Sequence, residues 1–114
     1  LLAFQRIEVV FFVPEDDARE ILQQLLIGVK SLLMALGLRT RSRIQSDEME
    51  VTAEVLVEDL EAEDNDGCWV EVVGSHLHGR LLLDGLGGGA SEGYVTGCCG
   101  IGLSRIANLL TGIT

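Results

Sequence analysis

Positive charge is scarce in this chain. Eight Lys and Arg residues stand against eighteen Asp and Glu in 114 residues, a formal charge of −10. Such a surface repels polynucleotides at long range, so any contact with nucleic acid has to come from a local patch or from other domains. No Lys follows the glycines, which excludes a P-loop, and the element order lacks the parallel βαβ unit that a dinucleotide-binding turn requires. Cysteine is limited to Cys68, Cys98 and Cys99. An odd, small set with two neighbours is poorly placed for structural disulfides and points to a reducing, cytoplasmic setting. A signal peptide and a membrane span are both missing. The most apolar region, Ile21 to Leu38, is broken by Gln23, Gln24 and Lys30, which suits a core helix and argues against a membrane partner. Internal repeats and linkers are absent, and the chain opens in an apolar run without methionine, as a piece of something longer does.

What is present is enough for one domain over 1–114. Apolar residues make up 47%, sufficient for a single core. "LLAFQRIEVVFFV" (Leu1 to Val13) is apolar on both alternations beyond Glu8 and reads as a central strand covered on both faces. Pro14 ends it, and Glu15, Asp16 and Asp17 put negative charge at a helix start. Ala18, Ile21, Leu22, Leu25, Val29, Leu32, Leu33 and Leu36 recur at helical spacing, with Gly37 as the stop. "LRTRSRI" alternates with Arg39, Arg41 and Arg43 on one face. "MEVTAEVLVE" alternates again, with Met49, Val51, Ala53, Val55 and Val57 inward. "EDNDG" is a hairpin turn into the strand "CWVEVVG", "GLGGGASEG" a loop, "YVTGCCG" a last short strand and "IGLSRIANLLTG" a closing helix. The order predicts an α+β domain, an antiparallel β-sheet flanked by helices. Ten of the eighteen acidic residues fall between Asp47 and Asp66, a run that reads as a solvated sheet face and hairpin tip rather than a cation site.

Several residues could carry chemistry. In "GCCGIGLSR" a strand meets a helix through a turn, where Gly100 and Gly102 would let a flat ligand approach the backbone. Arg105 would project from the first helical turn as a fixed charge suited to phosphate. Glu71, a carboxylate in an otherwise apolar strand, is either an exposed position or a ligand for Mg²⁺ or an amine. Glu8, enclosed by apolar neighbours, must be paired if buried, with Arg6 or one of Arg39, Arg41 and Arg43, or else serve a function. His76 and His78 could bind metal with a cysteine or form a plain loop pair. Cys98 and Cys99 could form a redox pair, or be small residues packed under a turn.

In order along the chain, "FQRIEVVFFV", an amphipathic helix, "WVEVVGSHLHGRLLLD" and "YVTGCCGIGLSRIANLLTGI" resemble the second half of a class II aminoacyl-tRNA synthetase catalytic core. Gly100, Gly102 and Arg105 match the glycine-x-glycine-x-x-arginine turn of that class's motif 3, and the first block is similar to the returning strand of motif 2. The likeness is nearest to the phenylalanyl enzyme's α subunit. There a Phe-His-Gln-x-Glu strand matches "FQRIE", and a Trp-x-Glu-x-x-Gly strand followed by a histidine matches Trp69, Glu71, Gly74 and His78. The atypical archaeal seryl enzyme and its carrier-protein ligase relatives are similar too, through "FHRIEIV" and "GCSGVGLER" patterns.

The resemblance implies ATP-dependent formation of an aminoacyl-adenylate, with ATP and an amino acid (phenylalanine in the phenylalanyl-like version) for partners and Mg²⁺ as cofactor. Phe4 would stack on adenine, Gly100 and Gly102 would line the nucleotide, and Arg105 would hold the phosphates and act in catalysis. Glu71 would support Mg²⁺. Glu8, Gly74 and Cys98 would form the amino-acid site, with Glu8 meeting the ammonium. In the seryl-like version Glu8 and Cys98 would instead be two ligands of a Zn²⁺ whose third ligand lies upstream. The chain departs from the pattern in lacking motif 1 and the first half of motif 2. It also has Cys98 and Cys99 where the phenylalanyl pocket carries aromatics, and Ser104 in place of a common glutamate. The expectation is therefore a partial catalytic domain, oligomeric in its full-length context, with tRNA contacts in missing regions or other subunits. Its alternative is a synthetase-like binding or regulatory module without catalysis.

Overall fold

The computed structural model describes residues 5–44, 55–79 and 93–112. Strand β1 (Arg6–Pro14) passes through a 3₁₀ turn (Glu15–Asp17) into helix α1 (Ala18–Ala35). Strands β2 (Thr40–Ile44), β3 (Val55–Glu63), β4 (Trp69–Gly79) and β5 (Tyr94–Gly102) follow, and helix α2 (Leu103–Thr111) closes the described part. The strands form one five-stranded sheet in the order β1-β5-β4-β3-β2, antiparallel at every pairing. The expected α+β class with an antiparallel sheet is what the chain adopts.

Strand parity divides the molecule. On β5, Val95 and Cys99 are fully buried, and Cys99 is paired with Ser75, whose neighbours Val73 and Leu77 are buried with it. Leu60 and Ala62 of β3, Ala18, Leu22, Leu26 and Leu33 of α1, and Ile106 of α2 belong to the same core. Both helices thus cover one face, and the alternate residues of each strand form the other. Ser75 is a fully buried polar member of the core. Its hydroxyl donates to the Glu58 carbonyl at 2.7 Å and accepts from the Glu58 N–H at 3.1 Å, so it is buried without loss.

Helix α1 ends as its sequence dictates. Gly37 takes φ +86°, and the N–H groups of Gly37 and Leu38 donate to the carbonyls of Met34 and Leu33, a Schellman closure. The apolar stripe is rotated from the expected one. Leu26, outside the predicted periodic set, is buried, while Leu32 and Leu36 are 56% and 44% exposed.

Three other expectations are corrected. Among the described strands β1 lies at the edge of the sheet rather than in its centre, and Val10 and Phe12 are exposed on the uncovered face. Its double apolar alternation has a different cause: Phe11 and Val13 pack on the core, while Phe12 stacks on Tyr94 with ring centroids 4.9 Å apart. The acidic run is not simply a solvated face, since Glu58, Asp59 and Glu61 are buried. Bulges at Leu56/Glu58 and Leu60/Glu61 shift the β3–β4 register, and Arg41 donates to Glu61 at 2.8 Å while lying 4.4 Å over the Trp69 ring. Finally, no turn separates β5 from α2. The strand runs to Gly102 and the helix begins at Leu103. The inward pattern expected from Met49 to Ala53, and most of the "GLGGGASEG" loop, lie outside the described residues, while Val57 is buried as expected. Among the described residues no helix is long and apolar enough to cross a membrane.

Candidate functional site

The uncovered face of the sheet holds a cleft of about 250 Å³ lined by residues of β1, β3, β4, β5 and α2. Its floor is backbone. Gly74 and Gly100 are direct partners across β4 and β5, and Gly102 faces Arg6 across β5 and β1. With no side chains at these three positions, Arg6, Asp59, Glu71, His76 and Arg105 form the walls. The floor at Gly100 admits no methyl without displacement. A Cβ there would run into the Arg6 guanidinium and come within 3.0 Å of Glu8 Oε1.

Arg6 and Glu8 lie on one side of β1 and pair at 2.6 Å, half exposed. Glu8 is therefore exposed and paired, not the buried carboxylate that its apolar neighbours implied. The alternative partners Arg39, Arg41 and Arg43 are occupied at the far end of the sheet by Glu63 and Glu61. Arg105 comes from the first turn of α2 because β5 delivers the chain into that helix without a loop. Its Nη1 donates to the Glu71 carbonyl at 2.8 Å. That turn is tied to β1 as well, by Gln5 N–H donating to Ser104 Oγ at 2.8 Å and Ser104 N–H to the Gln5 carbonyl at 3.3 Å. The entry of α2 is thus anchored on two strands, and Arg105 is aimed by backbone rather than by side-chain packing.

Glu71 is exposed on the same face, opposite Glu61 in the β3–β4 ladder. The β-bulge at Leu60/Glu61 lets Val72 and Val73 both be buried while Glu71 stays outside, a local use of an irregularity beside a cleft. Cys98 occupies the same face, half-buried, between Val10 on β1 and His76 on β4. His76 Nδ1 lies 3.9 Å and His78 Nε2 3.4 Å from its sulfur, and His78 Nδ1 is 3.0 Å from Thr96 Oγ1. The histidines are strand residues, not a loop pair. Cys99 points the other way, into the core, where burial, with Cys98 and Glu8 adding to it, pushes its thiol up from 9.0 to about 11. Consecutive residues of one strand on opposite faces cannot bond to each other, which removes the redox-pair reading.

Of the residues singled out in the sequence, Glu71, Gly74, Gly100, Gly102 and Arg105 meet at the cleft, Glu8 and Cys98 lie beside it on the same face, and Phe4 lies outside the described residues. Sequence reasoning missed Asp59 and His76 as lining residues. Asp59 was hidden in the acidic run, and only its opposition to Gly74 across the β3–β4 ladder brings it to the cleft. The carboxylates of Asp59 and Glu71 fit what Mg²⁺ asks of a protein, one or two oxygens with phosphate and water supplying the rest. Glu8 and Cys98, the two residues of the zinc version, lie on the same face of the sheet beside the cleft, with Glu8 paired to Arg6. The third ligand of that version lies upstream, and among the described residues no group of three His, Cys, Asp or Glu side chains is placed to hold a metal.

No protein-family model matches the chain, and no curated protein matches it. Among solved structures it is similar to a chain of the crystal structure of A. aeolicus tRNASec in complex with M. kandleri SerRS. The TM-score is 0.73 at 22% identity, over 96% of this chain and 24% of that one. The likeness is one of fold, and the chain spans about a quarter of the length of its neighbour.

Proposed function

We propose that the chain is part of a class II synthetase-like core that activates an amino acid with ATP. The observation that carries this reading is the cleft itself: a glycine floor, two arginines and two carboxylates on the uncovered face of an antiparallel sheet. The shared fold with a SerRS chain supports it. In the proposed reaction the amino-acid carboxylate attacks the α-phosphorus of ATP, the bond to the bridging oxygen breaks, and pyrophosphate leaves. Charge builds on the phosphate oxygens, where preorganised cations are worth most. Arg105, held by the Glu71 carbonyl, supplies a fixed guanidinium group there, and Arg6 a second one at the end of a movable arm. Glu8 offers its carboxylate to the substrate ammonium, and Gly74, Gly100 and Gly102 leave the ligand room to lie flat on the strands. Mg²⁺, held by Asp59 and Glu71, would supply further neutralisation of the triphosphate when bound. In this reading Cys98, beside the cleft on the same face, would border the amino-acid side chain.

One observation favours the non-catalytic alternative. Arg6 is already satisfied by Glu8, and Arg105 by a carbonyl, so the cations have partners within the fold. Amino-acid-dependent exchange of pyrophosphate into ATP separates the two readings: the enzyme shows it, the binding module does not. Arg105→Ala is expected to weaken ATP binding by about tenfold to a hundredfold, the range of a lost charge-assisted hydrogen bond. Arg105 is exposed, so the melting temperature should barely move. Titration calorimetry with unchanged ATP affinity in that variant sinks both readings. Any role for tRNA is carried over from the neighbour alone and is placed outside this chain.

A further inference from the structure

The three cysteines occupy three different environments. Cys68 is exposed, Cys99 is buried in the core, and Cys98 is half-buried among imidazoles. We infer that Cys98 is a nucleophilic thiol, with His78 as its base and Thr96 positioning that base, built to accept an acyl group from an activated carboxyl. The geometry is that of a nucleophile, a base within reach and a third group orienting the base. His78 Nδ1 lies 3.0 Å from Thr96 Oγ1 and Nε2 3.4 Å from Cys98 Sγ; in the tautomer protonated on Nδ1, the ring donates to the threonine and turns its Nε2 lone pair to the thiol. A bulge at Leu77/Gly79 makes this arrangement by pairing Gly79 with Thr96 and leaving His78 as the extra residue. His78 itself is buried at 7% exposure, so its ring is held, while the sulfur remains reachable from the uncovered face.

Among the described residues, these groups face Cys98. From β4 come His76 and His78. From β1, Val10 lies directly opposite and Glu8 one pleat along, its charge matched by Arg6. The helices pack on the other face. The cleft floor at Gly100 is one pleat from Cys98 on the same face of β5, roughly 7 Å along the strand, within the reach of an acyl group held there.

The step balances as follows. Cys98 gives its proton to His78 Nε2, and the sulfur electron pair forms a bond to the acyl carbon. The bond from that carbon to its leaving group breaks, with the electron pair going to the leaving group. A departing thiolate takes the proton from His78; a departing phosphate leaves as the anion and the proton passes to water. The acyl donor is any activated carboxyl, a thioester or an acyl phosphate. Only the second source rests on the activation reading above.

The wild-type chain carries its own controls. Alkylation by iodoacetamide at pH 6.5, followed peptide by peptide in a mass spectrometer, should modify Cys98 at least about tenfold faster than exposed Cys68, because only the thiolate reacts and the imidazole stabilises it. Cys99 should stay unmodified. Equal rates at Cys98 and Cys68 overturn the proposal. With the small thioester S-acetyl-N-acetylcysteamine, a hydroxylamine-labile acetyl group should appear on Cys98 and not on Cys68; acetyl on neither residue, or on both alike, overturns it too. Thr96→Val should move the pH profile of Cys98 alkylation upward, and Thr96→Ser should restore it, a signature that a merely structural hydroxyl does not give. His78→Gln should bring Cys98 down to the rate of Cys68, and if that variant does not fold the wild-type ratio still decides. An amino-acid mixture with ATP distinguishes the sources. Aminoacyl mass on Cys98 that requires ATP supports the adenylate as donor. Thioester labelling without it supports the thiol site with a thioester donor and counts against activation in the cleft.

Discussion

Gly97 and Gly100 stand on opposite faces of β5, and a methyl group at each meets different material. At Gly97 it would strike the Phe11 ring and lie 2.9 Å from the His76 carbonyl. Neither can retreat, so Gly97→Ala is expected to cost about 1–3 kcal/mol in urea unfolding. At Gly100 the obstacle is the end of the Arg6 arm, which can swing away, so Gly100→Ala should cost less than about 1 kcal/mol, the worth of an exposed ion pair. The same substitution should disturb ligand binding in the cleft. Cys99 sets a pH dependence. Its folded pKa is raised to about 11 from 9.0, so above pH 9 the unfolded chain loses a proton that the native one keeps. Stability is therefore full below pH 9 and falls as pH rises toward 11, with a slope of at most about 1.4 kcal/mol per pH unit. Denaturant midpoints across that window should fall in the wild type and fall less in Cys99→Ala. From the sequence, the glycines and Arg105 were the legible part of the site. The placing of Cys98 and Cys99 on two faces was legible too, once the strand extended to Gly102. The distance from His78 to Cys98 was not, because it depends on a bulge that leaves no mark in the residue pattern.

At the scale of elements, α1 follows from its periodicity and its glycine stop. Leu26→Ala should cost about 2–5 kcal/mol, as a buried leucine does, whereas Leu32→Ala at an exposed position should stay within about 0.5 kcal/mol. Thermal melts of the two variants check this, and equal losses would mean that the helix packs on its other side. The strands were legible as strands but not in their order. A run such as "RIEVVFFV" is apolar on both alternations, and alternation cannot tell a strand covered twice from an edge strand whose outer side chains stack on a neighbour, as Phe12 does on Tyr94. The acidic strand misled for a related reason. The bulge at Leu56/Glu58 breaks its alternation, and Arg41, from the preceding strand β2, pairs with the buried Glu61.

For the whole molecule, charge and architecture point in separate directions. The sheet carries a cleft with two guanidinium groups, but the chain around it has a net charge of −10. Labelled tRNA should show no retardation by this chain alone at about 0.15 M salt, where screening leaves little beyond close contacts. Retardation under those conditions would place a nucleic-acid surface on these residues. The direct passage of β5 into α2 has one more consequence, for the kinds of change the chain can accept. Because no loop separates strand from helix, nothing between Tyr94 and Arg105 can absorb an insertion or deletion. A single-residue deletion ahead of Cys98 inverts every later strand position: one thiol enters the interior, the other leaves it, and the arginine swings off the cleft. In this stretch the spelling can drift, but the letter count cannot.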